Sequence, residues 1–211
     1  MIYAENILLC IAIPLAVSAL FVREDARRFV VAFLIGMVVC LTSSYIDGFL
    51  NLASGMGAEN TSIFISPVVE ECMKLLSLLC LLVLLDPPNR TLTIFAVAIG
   101  AGFATFENCC YILTTGAESF MYVLIRGMAV GVMHVVSILA LAIWFIAAKR
   151  LGAFTFSAVV GAGALPVTFH ALYNLLVSQP GVSSTIGYLL PIATAFALYL
   201  IYKKVLPKFE N

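Results

Sequence analysis

The sequence predicts an all-α fold, a polytopic membrane bundle of about seven transmembrane helices with the N-terminus outside and the C-terminus cytoplasmic. Three observations carry this expectation. Of 211 residues, 63% are hydrophobic and only 10% charged, against about 25% charged in an ordinary soluble domain. The mean hydropathy is +1.12. The apolar residues fall in runs long enough, at about 20 residues each, to cross a bilayer.

Reading those runs against their breaks places spans at about 7–22, 29–45, 66–85, 91–113, 121–148, 151–178 and 185–203. The first is short, but its leader Met1 to Asn6 has no Lys or Arg, so it reads as a retained helix and not as a signal peptide. The third opens on Ser66-Pro67, with Pro suited to a first helical turn. In the fourth, Gly100 and Gly102 permit close helix approach, and in the fifth Gly127 and Gly131 form a small-xxx-small face that would let a neighbouring helix come close. Pro166 is expected to kink the sixth. The stretch 46–65 is long enough to lie along the interface or dip in beside the third span. It carries a formal glycosylation site, Asn60-Thr61-Ser62. No repeat, linker or low-complexity segment is found, so residues 1–211 read as a single integral-membrane domain.

Charge sets the orientation. Seven spans put Arg23, Arg27, Arg28, Arg90, Lys149, Arg150, Lys203, Lys204 and Lys208 on one side, nine of the eleven cations. The other side holds Glu5, Asp47, Glu59 and Glu118 and no cation. The positive-inside rule makes the first side cytoplasmic. The formal net charge is zero, which suggests no nucleic-acid partner; the partner expected is membrane lipid. The six cysteines all fall inside spans, where they are expected to be small buried core residues without a structural disulfide.

What remains is a polar remainder inside the spans: Glu70, Glu71, Lys74, Glu107, Arg126, His134 and His170. A charge in mid-bilayer costs about 2.5–3.5 kcal/mol on insertion scales, so these groups must pair or line a wet cavity. Glu70 and Glu71 lie near a helix N-terminus, where the dipole favours acids, and Lys74 is placed to pair with Glu70 one turn on. Glu107 sits instead near a helix C-terminus and requires a cation, proton or metal. Arg126 either marks the outer interface by snorkelling or neutralises an acid. His170 and Asn174 share one helix face. Counted at 1.5 Å per residue from the outer ends, Glu70 is roughly 6 Å deep, Glu107 roughly 9 Å and His170 roughly 12 Å, with His134 roughly 12 Å if Arg126 marks the interface. Four helices within 66–178 thus place their polar groups in one outer layer. The chemistry this suggests is hydrolysis. Two imidazoles and acids can hold Zn²⁺, a spare Glu can act as general base and an amide can steady an oxyanion.

Glu70-Glu71-Cys-Met-Lys74 matches an EExxK motif, Phe103-xxx-Glu107-Asn108 an FxxxE(N) motif, and His134 and His170-xxx-Asn174 follow in order. In these motifs the chain resembles the PrsW family of intramembrane proteases, within a wider group that includes CAAX prenyl endopeptidases and the bacterial CPBP/Abi proteins. The resemblance implies cleavage of membrane-anchored, single-span proteins near the extracytoplasmic face, with an anti-sigma factor as site-1 substrate, in the plasma membrane. Carried over by residue, Glu70 or Glu71 would activate water, Glu107, His134 and His170 would bind metal or help position that water, Asn174 would support the oxyanion and Lys74 would orient the acidic pair. Asn108 and Arg126 are supporting candidates. Zinc dependence and a metal-free glutamate mechanism both stay open, as does homo-oligomerisation. Two other classes compete: a non-catalytic scaffold, as a subunit of gamma-secretase resembles this group, and an ion-coupled transporter, which predicts inverted repeats.

Overall fold

A computed structural model describes residues 4–116 and 119–205. The chain forms α1 (Ala4–Phe21), α2 (Glu24–Ser54), the single turn α3 (Ala58–Asn60), a π-helical turn (Thr61–Ile65), α4 (Ser66–Leu85), α5 (Asn89–Thr115), α6 (Phe120–Arg150), α7 (Phe156–Ser178) and α8 (Val182–Val205). Among the described residues there is no strand. Seven helices have 18 residues or more, and six of them are long and apolar enough to cross a membrane. The seventh, α4, has the length but carries Glu70, Glu71 and Lys74.

Close approach at glycine holds the centre. Gly36 of α2 lies against the backbone of Ile99 on α5, and Gly102 of α5 against the backbone of Phe33 on α2, so a Cβ at either would overlap main chain. Gly100 faces the backbone of His134 and Val135 on α6 in the same way. Between apolar surfaces already in lipid such contact, and not exclusion from water, drives helix association. Around these contacts Leu78, Ala96, Ile99, Ile138, Leu141 and Phe145 form one buried cluster and Met37, Cys40, Phe103 and Phe106 a second. Ala129, Val130, Met133 and Tyr173 form a third, between α6 and α7. Helices α1 and α8 stay peripheral, with Leu20, Phe21, Ile186 and Phe196 exposed as a lipid-facing surface would be.

The structure corrects four expectations. Helix α2 runs nine residues past the end of its apolar stretch, because the polar residues Ser43, Asp47 and Asn51, four apart, continue one face of it. It stops at Gly55, whose φ of 64° gives the left-handed cap that terminates a helix. Gly127 meets no neighbour within 4 Å, and Gly131 only the Asn108 amide at 4.0 Å, so their small face receives no helix. Cys40 alone of the six cysteines is buried, and Cys10, Cys72 and Cys80 are exposed. Lys74 pairs with Glu71, not Glu70.

At one end of the bundle, Asp25 bridges Arg28 and Arg90, Arg28 donates to Thr91, and Lys149 pairs with Asp86. This ties the ends of α2, α4, α5 and α6 together on the side that the sequence assigns most of its cations. Lys208 and Glu118, counted in that assignment, lie outside the described residues.

Candidate active site

Helix α4 brings the first part of the site. The residues after Pro67 place Glu71 and Lys74 one turn apart on the face turned into the bundle, and both side chains are fully buried. Lys74 Nζ has three hydrogens and uses all of them, donating to Glu71 Oε1 at 2.6 Å, His134 Nδ1 at 3.0 Å and Ser137 Oγ at 3.3 Å. The ring of Phe103 lies 4.9 Å from the same nitrogen.

This contact fixes the state of His134. An ammonium only donates, so Nδ1 is the accepting nitrogen, and in the neutral ring Nε2 carries the hydrogen. Nε2 donates it to Glu107 Oε2 at 2.5 Å. The other oxygen of Glu107 accepts from Arg126 Nη2 at 3.0 Å, and the Arg126 guanidinium stacks 3.6 Å from the Tyr111 ring centroid. The cation that Glu107 required at its helix C-terminus is therefore Arg126, reaching across from α6.

Helix α7 closes the cluster. His170 packs edge-on against His134 with ring centroids 5.2 Å apart, and its Nδ1 donates to Glu71 Oε1 at 2.9 Å. One turn on, Asn174 Nδ2 donates to the Ser62 carbonyl at 2.8 Å. Ser62 lies in the π-helical turn, where the Ser66 N–H goes to the Thr61 carbonyl and the next residue, Pro67, has no N–H to give the Ser62 carbonyl. Asn51 Oδ1 accepts from Thr61 Oγ1 in the same turn.

These groups border a cavity of about 510 Å³ between α4, α5, α6, α7, α8 and the π-helical turn. Glu70, Glu107, Arg126, His134, His170 and Asn174 line it. Glu71 and Lys74 do not; they stand behind the two histidines. Asn108 is also outside the lining, with its Oδ1 buried and unpartnered. The sequence reading did not single out Asp47, whose Oδ1 is buried without a partner and which acts electrostatically on Glu70 and His170. The spacing Ser43, Asp47, Asn51 was the signal for it. Tyr122, Tyr173 and Tyr188 complete the polar wall.

The donor set fits a divalent metal. Glu70, His134 and His170 each offer an atom, and these lie within 4.8 Å of one another, although His134 Nε2 would have to release the hydrogen it shares with Glu107 to bind an ion. Glu70 Oε2 is buried with no hydrogen-bond partner. His170 keeps Nε2 for a ligand while Nδ1 is held by a carboxylate, the usual outer-sphere support of a metal-binding imidazole. Four carboxylates (Asp47, Glu70, Glu71, Glu107) face two cations (Lys74, Arg126), a formal deficit of two that a divalent ion would balance. The grouping differs from the sequence expectation in one member. Glu70 joins the histidines, while Glu107 is engaged by His134 and Arg126.

Apolar helices of spanning length bury acids, a lysine and two histidines around a cavity within a membrane protein. The model of the PrsW family intramembrane metalloproteases matches residues 24–201, and the chain belongs to that family. It is an intramembrane protease. No curated protein and no solved structure gives a match.

Proposed function

We propose that this protein is an integral protease of the plasma membrane that hydrolyses one peptide bond of a single-span membrane protein near its extracytoplasmic end. A membrane-anchored anti-sigma factor is the substrate class. The observation that carries the reading is the convergence of Glu70, Glu107, His134 and His170 from four helices on one cavity.

Glu70, His170 and, on release of its Nε2 hydrogen, His134 would hold the metal, with zinc the ion best suited to two imidazoles and a carboxylate. When bound it would supply Lewis-acid chemistry, polarising the scissile carbonyl and easing loss of a proton from water. The chain's own groups do the rest. Glu107, the remaining acid on the cavity wall, is positioned to take the proton of the attacking water. Glu71 holds His170 through Nδ1, and Lys74 holds both Glu71 and His134, so neither imidazole can turn. Asn174 spends one amide hydrogen on Ser62 and keeps the other toward the cavity for developing negative charge.

The test is co-expression with tagged single-span anti-sigma-type proteins. Wild type is expected to release their outer segment by a cut close to the span. Release that persists in His170→Ala would overturn the reading.

A further inference from the structure

A second groove, of about 370 Å³, lies between α2, α5 and α8 at the end of the bundle away from the active-site cavity. Asp25 and Phe29 of α2, Arg90, Thr93, Ile94 and Val97 of α5, and Tyr202 of α8 line it. No step of the proposed reaction uses these residues.

The lining changes character with depth. Asp25 stands in the first turn of α2 and Arg90 in the first turn of α5, so both mark the rim. One carboxylate there serves two guanidiniums, with Asp25 Oδ2 2.8 Å from Arg90 and Oδ1 3.1 Å from Arg28. The rim therefore keeps a surplus positive charge. The Arg90 side chain is 74% exposed, so its guanidinium has N–H donors to spare. Helix α5 opens here with no side-chain cap and no acid in its first turn, and its dipole adds to the same sign. On the third wall, Tyr202 is followed directly by Lys203 and Lys204, both exposed.

Below the rim the groove turns apolar. Phe29, Ile94 and Val97 carry no polar side-chain atom, and Thr93 spends its hydroxyl on the Asn89 carbonyl. Val97 lies two turns in from Arg90, roughly 10 Å deeper along the helix. A phospholipid has the same order, an anionic phosphate at the interface and hydrocarbon beneath it. A soluble anion would use the rim alone. Basic pockets between spans on the cation-rich side are suited to anionic head groups.

We propose that this groove holds one anionic phospholipid of the leaflet on the cation-rich side. Its phosphate sits on Arg90, with Arg28 beside it, and one acyl chain runs along Phe29, Ile94 and Val97. Bound there it touches three helices at once and ties the peripheral α8 to α2 and α5. The site does not depend on the protease reading.

The test titrates full-length protein in an uncharged detergent with palmitoyl-oleoyl phosphatidylglycerol and counts bound lipid by native mass spectrometry. One lipid is expected to stay on each chain, held about tenfold more tightly than phosphatidylcholine with the same chains, the worth of one charge-assisted hydrogen bond. Glycerophosphoglycerol, the head group without chains, is expected not to bind at the same concentrations. Arg90→Gln should weaken binding about tenfold. Val97→Trp, which fills the apolar part and leaves the rim charges in place, should weaken it by about as much. Lys149→Gln, on the same side but paired with Asp86 outside the groove, should stay within about twofold of wild type. Each variant is first matched to wild type in thermal unfolding without lipid, and if one groove variant does not fold the other decides. Equal affinity for the two lipids, or equal losses in Arg90→Gln and Lys149→Gln, overturn the proposal. So does phosphatidylglycerol that binds only after residues 206–211 are cut away, or a dimer that Val97→Trp dissolves, because the occupant is then the chain's own end or a second copy.

Discussion

Lys74 Nζ lies 3.0 Å from His134 Nδ1, joining α4 to α6 in the middle of the bundle, and its two remaining hydrogens go to Glu71 and Ser137. One ammonium outside the cavity lining thereby sets the orientation of an acid behind the wall and of an imidazole on it. The contact also explains how a fully buried lysine is tolerated, since every donor is satisfied and the counter-charge is 2.6 Å away.

Removing one partner of that pair is expected to be costly. Lys74→Met leaves Glu71 buried and uncompensated, for a loss of about 3–5 kcal/mol. Replacing both, as Lys74→Met with Glu71→Leu, should recover most of it, because a buried ion pair and an apolar pair of similar volume are often close in stability. Unfolding in mixed micelles measures both variants. Equal losses in the single and double variants would show that the pair is not what holds the site.

The glycines divide by what they face. Gly102→Ala and Gly36→Ala push a methyl into backbone of the opposite helix and should each cost about 1–3 kcal/mol. Gly127→Ala meets open space and should change stability by less than about 0.5 kcal/mol. The same unfolding assay decides, and an equal response at Gly102 and Gly127 would contradict the α2–α5 packing.

Metal content offers an independent check on the donor set. Purified protein is expected to carry one divalent ion per chain, and His170→Ala or Glu70→Gln should lose it. Glu71→Gln, which weakens the support of His170 Nδ1 and removes the counter-charge of Lys74, should weaken affinity by about 10–100-fold. Elemental analysis and chelator competition read this out. Full metal content in Glu70→Gln would move the third ligand elsewhere.

Asn174→Ala should free the turn that precedes α4. Its amide ties α7 to the Ser62 carbonyl, so amides at 58–65 are expected to exchange faster with solvent while those of α5 and α6 hold their protection. Unchanged exchange at 58–65 would mean that the turn is fixed by other contacts.

How far the sequence foretold this site depends on which physical rule governed each residue. The α4 boundaries were legible because Ser66-Pro67 opens an apolar run and Asp86 follows it. The convergence of four polar segments was legible because charge inside a span demands a partner, and the depth count put those segments in one layer. The pairing within the layer was not. Glu70 and Glu71 are neighbours in sequence, and only the rotation of α4 about its axis decides that Glu71 meets Lys74 while Glu70 faces the cavity. That rotation is set by tertiary packing, as is the choice of Arg126 by Glu107. Asp47 escaped notice because its helix outlasts the apolar run that was used to end it. Gly127 misled because a small residue permits close approach without supplying a neighbour.

The most direct test of the central claim is to map the cut by mass spectrometry, using purified protein with a single-span substrate in nanodiscs. Wild type is expected to cut once, within the outer part of the substrate's span. Glu70→Gln, with unfolding matched to wild type, is expected to slow that cut at least about 100-fold. Undiminished cleavage at the same bond by Glu70→Gln would contradict the account.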